Sequence, residues 1–179
     1  MSEQLPEFPY HPDPVATGCV EKSDATCLSC EQARGLIYTG PVYAVEELVD
    51  CLCPWCIADG SAAARFNAAF TDHLPVYGNV SEAVVAAVTT RTPGFGGWQQ
   101  EHWAYHCADG AAFLGRAGWP ELQRRPDALE ALRREHDGLG WTPELVEEYL
   151  TELDKDGSPC AYLFRCRHCG THLAYSDCD

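Results

Sequence analysis

The chain has 179 residues, 27 of them acidic and 12 basic, for a formal net charge of −15. That balance argues against nucleic acid as a partner, because a polyanion repels phosphates, while 46% hydrophobic residues suffice to bury a core. The opening MSEQLPEF has neither a basic nor an apolar run, and no apolar stretch approaches the length of a bilayer span, so a cytoplasmic protein off the membrane is expected.

In residues 1–18, Pro6, Pro9, Pro12 and Pro14 exclude helix and favour an extended arm, which Phe8 and Tyr10 can hold against the body. Leu36, Ile37 and Tyr38 predict a strand within 33–40, closed by Thr39-Gly40-Pro41. VEELVD at 45–50 predicts a short helix. The alanine-rich IADGSAAARFNAAF at 57–70 favours helix, with Ser61 as a candidate N-cap. Another helix is predicted from Ser81, with Glu82 in its first turn. TPGFGGW at 92–98 is a turn-rich loop, and QQEHWAYHC at 99–107 leans to strand.

Residues 120–138 predict one short helix and, past Pro126, a longer one ending near Gly138. Arg124-Arg125 and Arg133-Arg134 lie there among acidic neighbours and read as solvated helix faces. A helix over 142–155 has Thr142 as cap and Pro143 at its first position. AYLFRCRHCGTHLAY at 161–175 reads as strand, knuckle, strand. The sum is one α+β domain over 1–179, stapled by zinc through ribbon-like Cys knuckles, with short antiparallel strands and several helices. Its expected parts are the arm 1–18, a first knuckle region 19–75, a mainly helical middle 76–156, and a C-terminal knuckle 157–179 packing back on 98–118.

Eleven cysteines without a secretory leader point to metal rather than disulfides. Cys27/Cys30 and Cys53/Cys56 form two Cys-x2-Cys knuckles separated by 22 residues, and two such turns can place four sulfurs around a tetrahedral zinc. Cys51 could substitute for Cys53 in that set, but is expected to pack as a small buried hydrophobe. The third knuckle, Cys166/Cys169, with Gly170 as its turn residue, needs two more ligands. Cys107 is the first choice, and His106, His172, Cys160 and Cys178 are the options for the fourth. Adjacent His106 and Cys107 on a strand point to opposite faces, so both reach one ion only where the strand ends or bulges.

Three other patterns carry less. His102 and His106 have the i, i+4 spacing of a metalloprotease helix, but no glutamate follows His102, so ordinary histidines are expected. Cys53-x2-Cys56 lacks the βαβ setting of a redox motif. Asp154-Lys155-Asp156-Gly157 hints at a calcium loop, but its glycine comes early and no glutamate closes it, so it reads as a turn.

LPEFPYHPDPVATG, GLIYTGPVYAVEEL, LCPWCIADGSAAARF, RTPGFGGWQQEHWAYHC and YLFRCRHCG together resemble the CbrC family, across nearly the whole chain. These are small bacterial cytosolic proteins linked by name to colicin tolerance. The resemblance implies a zinc-binding protein of one domain and no defined reaction. By it, Cys27, Cys30, Cys53, Cys56, His106, Cys107, Cys166 and Cys169 fall on family motif positions, whereas Cys19, Cys51, Cys160 and Cys178 are less characteristic. Relatives carry another cysteine just after the segment corresponding to Cys107-Ala108-Asp109, where this chain reads Gly110-Ala111-Ala112. The resemblance therefore implies that His106 or His172 replaces a lost ligand, or that the site is open.

Two functions follow as expectations. One is a protein-interaction or regulatory module, immunity-like, whose acidic charge suits a basic protein partner. The other is a zinc-dependent hydrolase at an incomplete second site, with Glu101 or Asp109 as general base and Trp98, Trp103 and Asp109 lining the pocket. Four protein ligands at that site would exclude the hydrolase in this form, because structural zinc sites are closed. No catalytic residue is assigned.

Overall fold

The structure, a computed structural model, describes residues 4–72, 79–137 and 139–179. A three-stranded antiparallel sheet organises it, with β6 (Cys160–Arg165) between β5 (Ala112–Ala117) and β7 (His172–Asp177). Two hairpin-like pairs stand beside it, β1 (Val20–Lys22) with β2 (Leu36–Tyr38), and β3 (Tyr105–His106) with β4 (Asp109–Gly110). Six helices complete the described residues: α1 (Pro54–Ala58), α2 (Ser61–Phe66), α3 (Glu82–Arg91), α4 (Trp119–Leu122), α5 (Pro126–Glu135) and α6 (Pro143–Glu152). The class is the α+β one that the sequence predicts.

Strand β6 is buried on both faces, and its period of two divides the core. Ala161 and Leu163 join Leu122, Leu129, Leu132, Val146 and Leu150, so α4, α5 and α6 cover one face. Tyr162 and Phe164 face the other way, into a larger cluster with Phe95, Trp103, Phe113 and Tyr38. Phe95 stacks on Phe113 with ring centroids 3.9 Å apart. The loop that delivers Phe95 needs Gly94, because a Cβ there would sit 1.6 Å from the Phe70 carbonyl oxygen. Cys27, Cys53 and Cys56 belong to this same core, so the first knuckle pair is built into it.

The N-terminal arm turns repeatedly and lies on the body. His11 is fully buried, with Nδ1 2.7 Å from the Pro93 carbonyl and Nε2 2.7 Å from the Thr17 hydroxyl. A carbonyl only accepts, so Nδ1 carries the proton and Nε2 is the acceptor.

Helix capping follows the sequence at α3 and α6. The Ser81 side chain accepts from the Val84 amide, and that of Thr142 from the Leu145 amide. Elsewhere the structure differs from expectation. No helix forms over 45–50: Val45 and Val49 point into solvent, only Leu48 is buried, and Asp50 has a φ of 49°. Six residues with one apolar anchor cannot repay helix nucleation. The alanine-rich run splits at Asp59-Gly60 into α1 and α2. Gly60, at φ 82°, is the N-cap in place of Ser61, and Asn67 in a left-handed conformation ends α2. Within 99–107 only Tyr105–His106 is strand. The Gln99 amide donates to Asp177 and the His102 amide to the Tyr175 hydroxyl, so side chains of β7 take the place of a strand partner.

The span 76–156 holds α3–α6 and also β3–β5. The boundary expected between residues 75 and 76, and the helix end expected near Gly138, lie outside the described residues.

Candidate metal centres

Among the described residues two groups of four metal-ligating side chains come together, Cys27/Cys30/Cys53/Cys56 and His106/Cys107/Cys166/Cys169, each with its donor atoms within 4.8 Å of one another. Either could hold a metal ion. In the first, Cys27 Sγ lies 3.9 Å from Cys56 Sγ, and Cys30 Sγ 3.8 Å from Cys53 Sγ. A tetrahedral ion with metal–sulfur bonds of about 2.3 Å needs sulfurs about 3.8 Å apart, so the spacing fits. Cys53 is the N-cap of α1 and Cys56 lies within that helix. The Leu28 amide bonds the Cys51 carbonyl, which holds the 27–30 knuckle against the second one.

Amides of Ser29 and Cys53 donate to Cys27 Sγ at 3.4 and 3.2 Å. Burial pushes the Cys27 thiol up, but the amides of Cys30, Cys53 and Ser29 outweigh it and hold this thiol below its ordinary value. Burial raises Cys53 and Cys56. A metal would therefore displace protons on binding. Cys51 is half-buried and outside the four. Trp55, between the knuckle cysteines, donates from Nε1 to the Gln4 carbonyl and lies under the Arg34 guanidinium at 4.4 Å.

The second group solves the problem of adjacent ligands by ending the strand. Cys107 and Ala108 form a two-residue turn between β3 and β4, both with positive φ, 52° and 59°. That is the type I′ pattern, and it swings His106 and Cys107 to one side. His106 Nδ1 is 3.3 Å from Cys107 Sγ and 3.4 Å from Cys169 Sγ. Tetrahedral geometry with typical Zn–N and Zn–S bonds asks for about 3.6 Å. The Cys166/Cys169 knuckle turns through Gly170 at φ 77°.

Neighbouring Cys169, first of all, pushes the Cys107 thiol up to about 11. The Thr171 hydroxyl, 3.2 Å from Cys169 Sγ, and the Thr171 amide hold Cys169 below its ordinary value. For Cys166, burial raises the thiol but the amides of Cys169 and His168 more than offset it.

Asp109 ties the two halves together. Its carboxylate accepts from the Tyr10 hydroxyl at 3.0 Å, the Gly110 amide at 2.9 Å, Arg167 at 2.7 Å and His168 at 2.9 Å. Burial pushes its pKa up, but these donors, His168 and Tyr10 ahead of Arg167, outweigh that and hold it below the usual carboxylate value. Sequence reading missed this clamp. Arg167 and His168 are the two residues inside the Cys166-x2-Cys169 knuckle, but nothing in the sequence pairs them with a carboxylate 58 and 59 positions away.

Of the options for the fourth ligand, His106 is the one in the cluster. His172 binds Asp127, through its amide at 2.6 Å and Nδ1 at 3.2 Å. Cys160 is buried on β6, 3.8 Å from Asp177 Oδ1, and Cys178 is exposed outside both groups. Of the residues expected to serve a hydrolase pocket, Asp109 lies at the second cluster, whereas Glu101, Trp103 and Trp98 bond to other parts of the chain. Glu101 is buried with the Tyr43 hydroxyl at 2.6 Å. Trp103 sits in the aromatic core and donates to the Ala111 carbonyl, and Trp98 bonds the Gly157 carbonyl. The groove beside Cys166 and Cys169 is lined instead by Ala112, Leu114, Arg165, Arg167 and His168.

Among the described residues no helix is long and apolar enough to cross a membrane. The uncharacterised protein family UPF0167 matches this chain over residues 5–178. A UPF0167 protein of Mycobacterium bovis is 55% identical over 176 residues, covering 98% of this chain and 94% of its own, and one of Mycobacterium tuberculosis matches to the same extent. A UPF0167 protein of Pseudomonas aeruginosa is 42% identical over 181 residues, covering 100% of this chain and 99% of its own. No solved structure matches.

Proposed function

This chain belongs to the uncharacterised protein family UPF0167, and from that premise we propose that it is a cytoplasmic zinc-stapled module that binds another protein. The observation that carries this reading is that each cluster assembles four protein donors. Thiolate-rich tetrahedral sets suit zinc, and closed four-donor sites are structural. With His106 beside Cys107 and Cys169, no donor position is left for a reactive water. Asp109, bound by four donors, is a poor general base. Both observations weigh against the hydrolase alternative.

The surface supports a protein partner of basic character. Val45 is 100% exposed, Val49 67% and Leu28 48%. The acidic Glu31, Glu46, Glu47 and Asp50 are exposed near them in sequence. With a net charge of −15, this surface would speed encounter with a cationic protein. The resemblance to the CbrC family, linked by name to colicin tolerance, suits such a partner, for instance a basic nuclease toxin.

Elemental analysis of the purified protein tests the metal half of the proposal. Two zinc ions per chain are expected, with an anomalous signal at both clusters; one or none would sink it. Titration with a basic nuclease toxin, and with an acidic protein as control, tests the other half. Salt-sensitive binding to the basic protein alone is expected, and no binding by either would refute it.

A further inference from the structure

The two clusters differ in exposure. In the first, Cys27 and Cys53 are 0% exposed and Cys56 2%, with Cys30 half-buried. In the second only Cys166 is buried; Cys107 and Cys169 are open to solvent. A groove of about 530 Å³ runs beside Cys166 and Cys169, lined by Arg165, Arg167 and His168 and by no acidic side chain. Arg167 and His168 are already paired with Asp109, so what the groove offers is access: it leaves the exposed Cys169 sulfur open to a small neutral oxidant.

We propose that the second cluster is a modification site, where a peroxide joins Cys107 to Cys169 in a disulfide and zinc leaves, while the first cluster keeps its ion. The proposal rests on the zinc reading of both clusters. One exposed thiolate attacks the peroxide, giving a sulfenic acid and hydroxide. The second thiolate displaces hydroxide from that sulfur and closes the S–S bond. Two thiolates lose two electrons, hydrogen peroxide gains them as two hydroxides, and zinc departs with two of its four donors gone. The donor atoms already lie within 4.8 Å of one another. The Asp109 contacts to Arg167 and His168 hold the turn against the knuckle without metal, so the two sulfurs stay adjacent after the ion goes. The left-handed Cys107 and Ala108 keep the first of these sulfurs at the tip of its turn.

The test uses the zinc-loaded full chain carrying Cys178→Ser, which removes the remaining exposed thiol. Hydrogen peroxide is added with a metallochromic dye present, and peptide mapping follows. Release of one zinc of the two, with a Cys107–Cys169 disulfide that dithiothreitol reverses, is expected. Release of both ions together, release without that disulfide, or a disulfide in the first cluster would overturn the proposal. If fewer than two ions are found before oxidant is added, the zinc reading fails by itself. Mapping Cys107 and Cys169 in the metal-free chain then decides the modification separately.

Discussion

Asp109 Oδ2 accepts from both Arg167 and His168, at 2.7 and 2.9 Å, so one carboxylate grips the two residues between Cys166 and Cys169 from the far half of their own metal site. Groups around a metal site that orient its ligands typically matter by about tenfold to a hundredfold in metal affinity. Asp109→Asn keeps the shape and removes the charge. It should weaken zinc at the second cluster by about that factor and leave the first unchanged. Competition with a chelator, reading the two ions separately, checks this; an equal loss at both clusters would contradict it.

The two knuckles end differently. Gly170 follows Cys169 at φ 77°, and Glu31 follows Cys30 at φ 59°. A non-glycine residue in that region costs about 1–2 kcal/mol, offset partly by the chain freedom a glycine loses on folding. Glu31→Gly should therefore stabilise the folded chain by up to about 1 kcal/mol. Gly170→Ala should destabilise the second site by about 1 kcal/mol or more, its new Cβ 3.4 Å from the Arg165 guanidinium. Denaturant unfolding with zinc present measures both, and a destabilised Glu31→Gly would mean that the glutamate makes a contact worth more than the strain.

Because Cys53 is part of the main core and Cys169 lies at the surface, losing each should have different consequences. Structural zinc binding contributes on the order of 10 kcal/mol to folding where the site is made only on folding. Cys53→Ser should yield a chain without cooperative structure by circular dichroism. Cys169→Ser should stay folded and carry one zinc. The reverse pattern would refute this assignment of roles.

Burial holds the His11 imidazole down at about 4, with the Pro93 carbonyl and then Asp13 countering it only in part. The unfolded chain takes up a proton near pH 6.5 and the folded chain does not, so His11 is neutral without penalty above that value. Stability is then lost as the pH falls through the window from about 6.5 to about 4. Between pH 7 and 5.5 the loss from this group is about 1 kcal/mol. Unfolding curves at both values should show a shallower dependence in His11→Gln than in the parent chain. Equal slopes would remove His11 from the account.

Much of this was legible in the sequence, for identifiable reasons. Capping at Ser81 and Thr142, Pro126 at the start of α5, and the strand–knuckle–strand of 160–177 are local, and local chemistry decides them. The Cys-x2-Cys pairs likewise announce their own geometry. The fourth donor of the second cluster was not decidable from spacing, because it depends on a turn with two left-handed residues that are not glycine. The Asp109 clamp, the β5–β6 pairing and the aromatic stack of Phe95 on Phe113 all join distant stretches of chain. The false helix at 45–50 shows the opposite failure, a plausible local pattern with nothing to pack against.

The second cluster takes His106 and Cys107 from before the helical layer and Cys166 and Cys169 from after it, bridging up to 63 positions. The exposed loop at 139–142 lies inside that bridge. A cut there would divide the donor set evenly, two ligands on each piece, and would leave the first cluster whole in the longer one. Strands β5 and β6 would also fall on opposite sides of the cut. Fragments 1–139 and 140–179 would thus share one donor set between them, along with the β5–β6 pairing and the Asp109 clamp.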